Sequence, residues 1–278
     1  MNTKELEQKA ALIRVDSLKA TTKASFGHTG SIMSVVEILV ALYYGKISIR
    51  DVMLYDSENP GWEDQDYLVL SKSNAAPALY SILADLGFFH KSDLKYLSQI
   101  NSNLQSGPFS KVPGVSATVA SHGHGLSIAL GLALSLKADR KNNKVFTVMG
   151  DKELQEGQVW EAAMAAANYN LSNLVVFVDN NKIQASSSVI SGMSIGSIQD
   201  KFEGFGWNVI QVLDGHNFES ILTAVERAFK SNRKPVCIWA HTVAGKGIDF
   251  AEGKVGYQKS VLSESELSEV IPKLNDLA

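Results

Sequence analysis

The chain has 278 residues, 45% hydrophobic and 20% charged, with a net charge of −3 at pH 7, enough apolar side chain for the core of one large α/β domain. Its Lys and Arg residues are dispersed rather than massed in one run, so no basic field for nucleic acid exists and no nucleic-acid partner is expected. One cysteine, Cys237, excludes an internal disulfide framework and suits core filling in a reducing compartment; with no signal peptide and no apolar run of roughly 18 residues, a soluble, cytoplasmic protein with no membrane partner is expected.

From Thr3 to Ala24, Leu6, Ala10, Ile13, Ala20 and Ala24 recur at helical spacing on one face, with Leu12, Val15 and Leu18 widening the stripe. The charges Glu7, Arg14 and Lys23 are expected elsewhere on that helix. Ser34 to Tyr44 is nearly all apolar, which predicts a buried second helix. Tyr67 to Leu70 reads as the first sheet strand, ending at Ser71, and Ala75 to Leu86 as the helix after it. His122-Gly123-His124-Gly125 opens a helix whose Ala129, Gly131 and Ala133 permit close backbone packing. His122 and His124 make a poor zinc pair, being alternate loop residues with no third ligand.

Val145 to Met149 and Leu174 to Val178 are apolar, β-branched runs that read as buried parallel strands, with an Ala-rich helix from Trp160 to Asn168 between them. Strands at Trp207 to Val212 and Val236 to Ala240 flank a helix from Phe218 to Phe229. The alternation predicts an α/β fold, a doubly wound and mainly parallel sheet with helices on both faces. No linker, charge block or repeat divides the chain, so residues 1–278 read as a single domain with a helical N-terminal arm.

Each of the two central strands runs into a polar loop: Gly150-Asp151-Lys152-Glu153 after the first, Asp179-Asn180-Asn181-Lys182-Ile183 after the second. Ligands collect at the carboxyl ends of parallel strands. Asp151 offers a carboxylate oxygen and Asn181 an amide oxygen, two hard ligands for an octahedral Mg²⁺ completed by phosphate oxygens, water and a backbone carbonyl.

The run from Gly150 to Ala162, followed by Asn173-Leu174 and Asp179-Asn180-Asn181, resembles the thiamine diphosphate motif of transketolases, which begins Gly-Asp-Gly and ends in Asn. Ser25 to Gly30, Leu70-Ser71-Lys72 with Ala75 to Tyr80, Gly125 to Ala129, and Thr242 to Gly247 extend the likeness over nearly the whole chain. It resembles the N-terminal, diphosphate-binding subunit of a transketolase split into two polypeptides, with the thiamine-diphosphate-binding fold of the diphosphate (PP) type. The resemblance implies thiamine diphosphate and Mg²⁺ as cofactors. It implies Asp151, Asn181 and the Ile183 carbonyl as metal ligands, Gly150, Asp151, Lys152, Asn181, Ile183, His122 and Gly123 as cofactor contacts, and His28 as a catalytic group. It also implies a C-terminal, transketolase-like partner that supplies the pyrimidine-binding domain and the activating glutamate, in a heterotetramer inactive without it.

The sequence departs from the family pattern where chemistry is expected. Lys152 stands where the family has glycine, a residue that admits positive φ or close approach of phosphate. Its ammonium can bind the diphosphate as a point charge, or pair with Asp151 and empty the metal site. Asn74, Gly107 and Gln258 occupy positions of family histidines, and His122 introduces an imidazole. Asn and Gln hydrogen-bond a hydroxyl but do not exchange a proton near neutral pH. Two readings follow: a transferase of a two-carbon ketol or related acyl unit with an altered substrate, or a non-catalytic pairing subunit. His216, in Asp214-Gly215-His216-Asn217, reads as part of a structural turn.

Overall fold

The computed structural model describes residues 1–48, 50–183 and 193–278. A short antiparallel hairpin, β1 (Lys46–Ile47) with β2 (Arg50–Asp51), lies outside the main sheet. The main sheet is wholly parallel and contains β3 (Tyr67–Leu70), β4 (Val145–Gly150), β5 (Leu174–Asn180), β6 (Asn208–Val212) and β7 (Val236–His241), in the order β3-β4-β5-β7-β6. Parallel strands joined by helical crossovers place helices on both faces, as the alternating pattern predicted.

The two-residue period of each strand divides its side chains between two cores. Phe146, Val148, Val175 and Phe177 point into one, packed under α1 (Thr3–Ala24), α3 (Val36–Tyr44), α4 (Ala76–Asp85), α8 (Phe218–Phe229) and α9 (Glu264–Asn275). Val145, Met149, Val176 and Val178 point into the other, under α5 (His124–Ala138), α6 (Gly157–Asn168) and α7 (Ile198–Gly204). Cys237 is fully buried in this second core, as expected of a filler. A five-residue helix, α2 (Thr29–Met33), links the first helix to the third.

Helix α1 has the predicted bounds because its ends are capped. Asn2 and Glu5 form a reciprocal capping box, and Ser25, at φ 50°, closes the last turn on the Thr21 and Thr22 carbonyls. Two side chains depart from the sequence expectation. Leu12 is 38% exposed, whereas Arg14 is buried. Arg14 lies on the inner face because Glu37 of α3 takes its guanidinium at 2.6 and 2.8 Å, while its Nε donates to the Lys246 carbonyl at 3.0 Å. A buried ion pair in which one guanidinium nitrogen, Nη2, donates to both Glu37 oxygens overrides the rule that charges face water. Burial alone would raise the Glu37 pKa, but Arg14 and His216 more than offset it and hold the carboxyl below its ordinary value.

His216 completes this network. Its Nε2 accepts the Val243 N–H at 2.8 Å, which leaves Nδ1 to donate to Glu37 at 2.9 Å. The ring therefore ties the loop after β7 to α3, the structural role its turn suggested. Among the described residues no helix is long and apolar enough to cross a membrane.

Candidate active site

The strands are in register such that Leu70 faces Val148, Gly150 faces Asp179 and Asp179 faces Ala240. The residues that follow them converge: Ser71 and Lys72 after β3, Asp151 after β4, Asn181 after β5 and Thr242 after β7. At the centre lies Asp179, fully buried and ion-paired with Lys72. It also accepts from the Thr242 hydroxyl, from Ser34 Oγ at 2.8 Å and from Asn181 Nδ2 at 3.2 Å. Sequence reasoning gave Asp179 no role, although a carboxylate ending an otherwise apolar strand signals a buried partner.

Glu153 performs a similar task one turn away. Its Oε1 accepts the Gly150 N–H at 2.9 Å, and its Oε2 accepts the Gly123 N–H at 3.0 Å and the Ser71 hydroxyl. One carboxylate thus joins the ends of β3 and β4 to the start of α5. Burial raises its pKa, and the donors from Ser71, Gly150 and Gly123 partly counter that. Gly125 is required where α5 passes β3, since a Cβ there would collide with Ser71 side chain and backbone.

Between these anchors lies a cavity of about 250 Å³. His28, His122, Gly150, Asp151, Lys152, Asn181 and Ile183 all line it, so the predicted site residues come together, with Gly123 one step behind the wall through Glu153. Asn74 and Gln258, at two of the replaced histidine positions, line it as well. Gly107 does not, and its carbonyl accepts from the Tyr80 hydroxyl at 2.6 Å.

Asp151 is buried and accepts the Lys182 N–H at 2.8 Å. Oriented by its hydrogen-bond network, the Asn180 amide donates to the same carboxylate at 3.2 Å and accepts the Trp239 indole N–H at 2.8 Å. Burial first, and then the nearby Asp179 charge, push the Asp151 pKa up to about 7, with the Lys182 N–H and Lys72 pulling the other way. Asn181 Oδ1 accepts the Ile183 N–H at 3.0 Å, and the Ile183 carbonyl accepts from Gln258 Nε2 at 3.3 Å.

These residues fit a diphosphate-bound Mg²⁺. A buried carboxylate short of positive charge, an amide oxygen and a backbone carbonyl make a hard oxygen set that needs phosphate and water to complete an octahedron. The described residues hold no group of three His, Cys, Asp or Glu placed to bind a metal ion. Two further polar atoms at this cavity are buried without a partner among the described residues, His28 Nδ1 and Gln258 Oε1. The His28 pKa is lowered, chiefly by burial and then by the charges of Lys259, His122 and Lys72.

Lys152 settles differently from either sequence concern. It is not among the described non-glycine residues with positive φ, so the loop accepts a side chain without left-handed strain. Among the described residues it forms no ion pair with Asp151, whose electrostatic neighbours are Asp179 and Lys72.

Residues 6–275 match the family described as transketolase, thiamine diphosphate binding domain. The chain belongs to that family. It is 37% identical to a 6-deoxy-6-sulfo-D-fructose transketolase subunit of Clostridium sp. (strain MSTE9), over 97% of this chain and 96% of that one. It is 32% identical to one of the subunits of the apulose-4-phosphate transketolase of Phocaeicola vulgatus, over 99% and 96%. Human transketolase shares 34% identity over 97% of this chain but only 42% of its own. The Campylobacter jejuni transketolase structure superposes with a TM-score of 0.90 at 28% identity, over 99% of this chain and 43% of that one. The chain thus spans less than half of those larger enzymes and nearly all of the separate subunits. It is a transketolase-type transferase subunit whose family cofactors are thiamine diphosphate and Mg²⁺.

Proposed function

We propose that this chain is the diphosphate- and Mg²⁺-binding subunit of a two-component transketolase that moves a two-carbon ketol, or a related acyl unit, between sugars. The observation that carries this is the Asp151 carboxylate, buried beside Asn181 and the Ile183 carbonyl in one cavity without a cation of its own. Asp151, Asn181 and the Ile183 carbonyl would hold Mg²⁺; Gly150, Lys152, His122 and Gly123 would hold thiamine diphosphate. When bound, that cofactor supplies the nucleophile for cleaving the ketose carbon–carbon bond.

The chain's own residues would bind the diphosphate, exclude water and handle protons. His28 is the proposed catalytic group. Its lowered pKa keeps the ring neutral near pH 7, where an unpartnered nitrogen can take or return a hydroxyl proton. Asn74 and Gln258 offer hydrogen bonds without proton exchange, so less of the usual proton traffic is available. That supports a changed donor or acceptor. The relatives are named for a sulfo-deoxy-fructose and for apulose 4-phosphate, which also favours an unusual sugar.

A C-terminal subunit would contribute the pyrimidine-binding domain and activating glutamate, in a heterotetramer in the cytoplasm, with residues 1–278 as one domain of the assembly. Retention of the metal-binding oxygens argues against the non-catalytic reading. The test is ketol transfer by the reconstituted pair across a panel of ketose donors. The pair should transfer while this chain alone does not, and xylulose 5-phosphate should be a poor donor; efficient transfer from it contradicts the altered-substrate reading.

A further inference from the structure

The cavity has more positive charge than the metal site alone explains. Of its three lysines, Lys72 is committed to Asp179 and Ser34. Lys152 and Lys259 have no acidic partner among the described residues, and the sequence between Ile183 and Met193 contains no Asp or Glu. Glu153, the other cavity carboxylate besides Asp151, is engaged by Ser71, Gly150 and Gly123.

Each adjoins a candidate metal ligand or its hydrogen-bond partner. Lys152 directly follows Asp151 at the end of β4. Lys259 directly follows Gln258, whose amide donates to the Ile183 carbonyl, and both lysines line the same cavity from separate segments of the chain. The Lys259 charge also reaches His28, where it is the strongest electrostatic influence after burial.

We propose that Lys152 and Lys259, from separate segments lining one cavity, form a two-point cationic clamp on the anionic diphosphate at the Asp151–Asn181–Ile183 metal site. This rests on the reading above that the cavity takes a diphosphate with Mg²⁺. A diphosphate tail remains anionic after one Mg²⁺ is bound beside the Asp151 carboxylate, which leaves negative charge for the lysines to meet. The clamp explains why lysine is tolerated at Lys152, where the family pattern has glycine. It also shifts part of the cofactor grip from backbone amides to side chains that salt screens.

The test is calorimetry on the reconstituted complex with Mg²⁺, using thiamine diphosphate and, separately, inorganic pyrophosphate. Lys259→Gln and Lys152→Gln should each weaken both probes by roughly tenfold, the double variant by roughly a hundredfold, and Lys259→Arg by much less, because a guanidinium keeps the charge. Unchanged melting temperatures show that the variants fold. Wild-type affinity retained by the double variant overturns the clamp, and with it the Lys152 contact, while binding of thiamine diphosphate with Mg²⁺ by the pair still stands. Pyrophosphate binding that depends on both lysines, with no thiamine diphosphate binding, supports the clamp and rejects that function. Binding of neither probe by wild type overturns both.

Discussion

Asp151→Asn should make the cofactor-free protein more stable while weakening its hold on Mg²⁺ and thiamine diphosphate. The Asp151 pKa is raised from 3.8 to about 7, first by burial and then by Asp179. A shift of about three units corresponds to about 4 kcal/mol that the ionised group costs the folded state. The sign follows from linkage: between pH 3.8 and 7 the folded chain holds the proton that the unfolded chain has lost, so this group makes stability fall as pH rises. Below pH 3.8 the cost is absent; it reaches about 1.6 kcal/mol at pH 5 and its full size above pH 7. Asparagine keeps an oxygen for the Lys182 N–H and carries no charge. Thermal melts in chelator should therefore show the variant more stable by up to roughly 10 °C at pH 8 and by much less at pH 5. An equal difference at both pH values, or a variant less stable at pH 8, refutes the account of Asp151 as a strained, cation-seeking carboxylate.

Cofactor binding near pH 7 should release about half a proton from Asp151, because Mg²⁺ requires the ionised form; calorimetry in buffers of different ionisation enthalpy measures it, and zero release contradicts the shifted pKa. Arg14→Ala should cost about 3–5 kcal/mol in urea unfolding by stranding buried Glu37, and adding Glu37→Leu should recover much of that. Gly125→Ala should cost about 1–3 kcal/mol and weaken cofactor binding, since the new methyl collides with Ser71 and disturbs its bond to Glu153.

The parts of this fold that are legible in the sequence are those in which one strong local pattern decides. β4 and β5 are visible as β-branched runs because a strand covered on both faces has no polar alternation to confuse it, and α1 because Leu6, Ala10, Ile13, Ala20 and Ala24 repeat at helical spacing on the buried face. Asp151, Asn181 and Ile183 stand out because they follow those strands at once. The errors come from long-range partners. Arg14 reads as a surface charge until Glu37, 23 residues on, is placed beside it. Asp179 reads as a loop residue until Lys72, 107 residues away, is brought to it. Helix α2 is too short to show a period, and the start of α6 at Gly157 escapes detection because its first turn is Gly-Gln, which carries no helical signal. Lys152 cannot be judged from sequence, since its compatibility depends on a backbone angle rather than on its neighbours.

This cavity is expected to hold a thiamine diphosphate tail through one Mg²⁺ on Asp151. Titration of thiamine diphosphate into the complex of this chain with its partner, with and without Mg²⁺, tests it most directly. Saturable binding that requires Mg²⁺ and disappears in Asp151→Ala is the predicted result. Equal affinity in wild type and variant, or binding indifferent to Mg²⁺, would contradict the account.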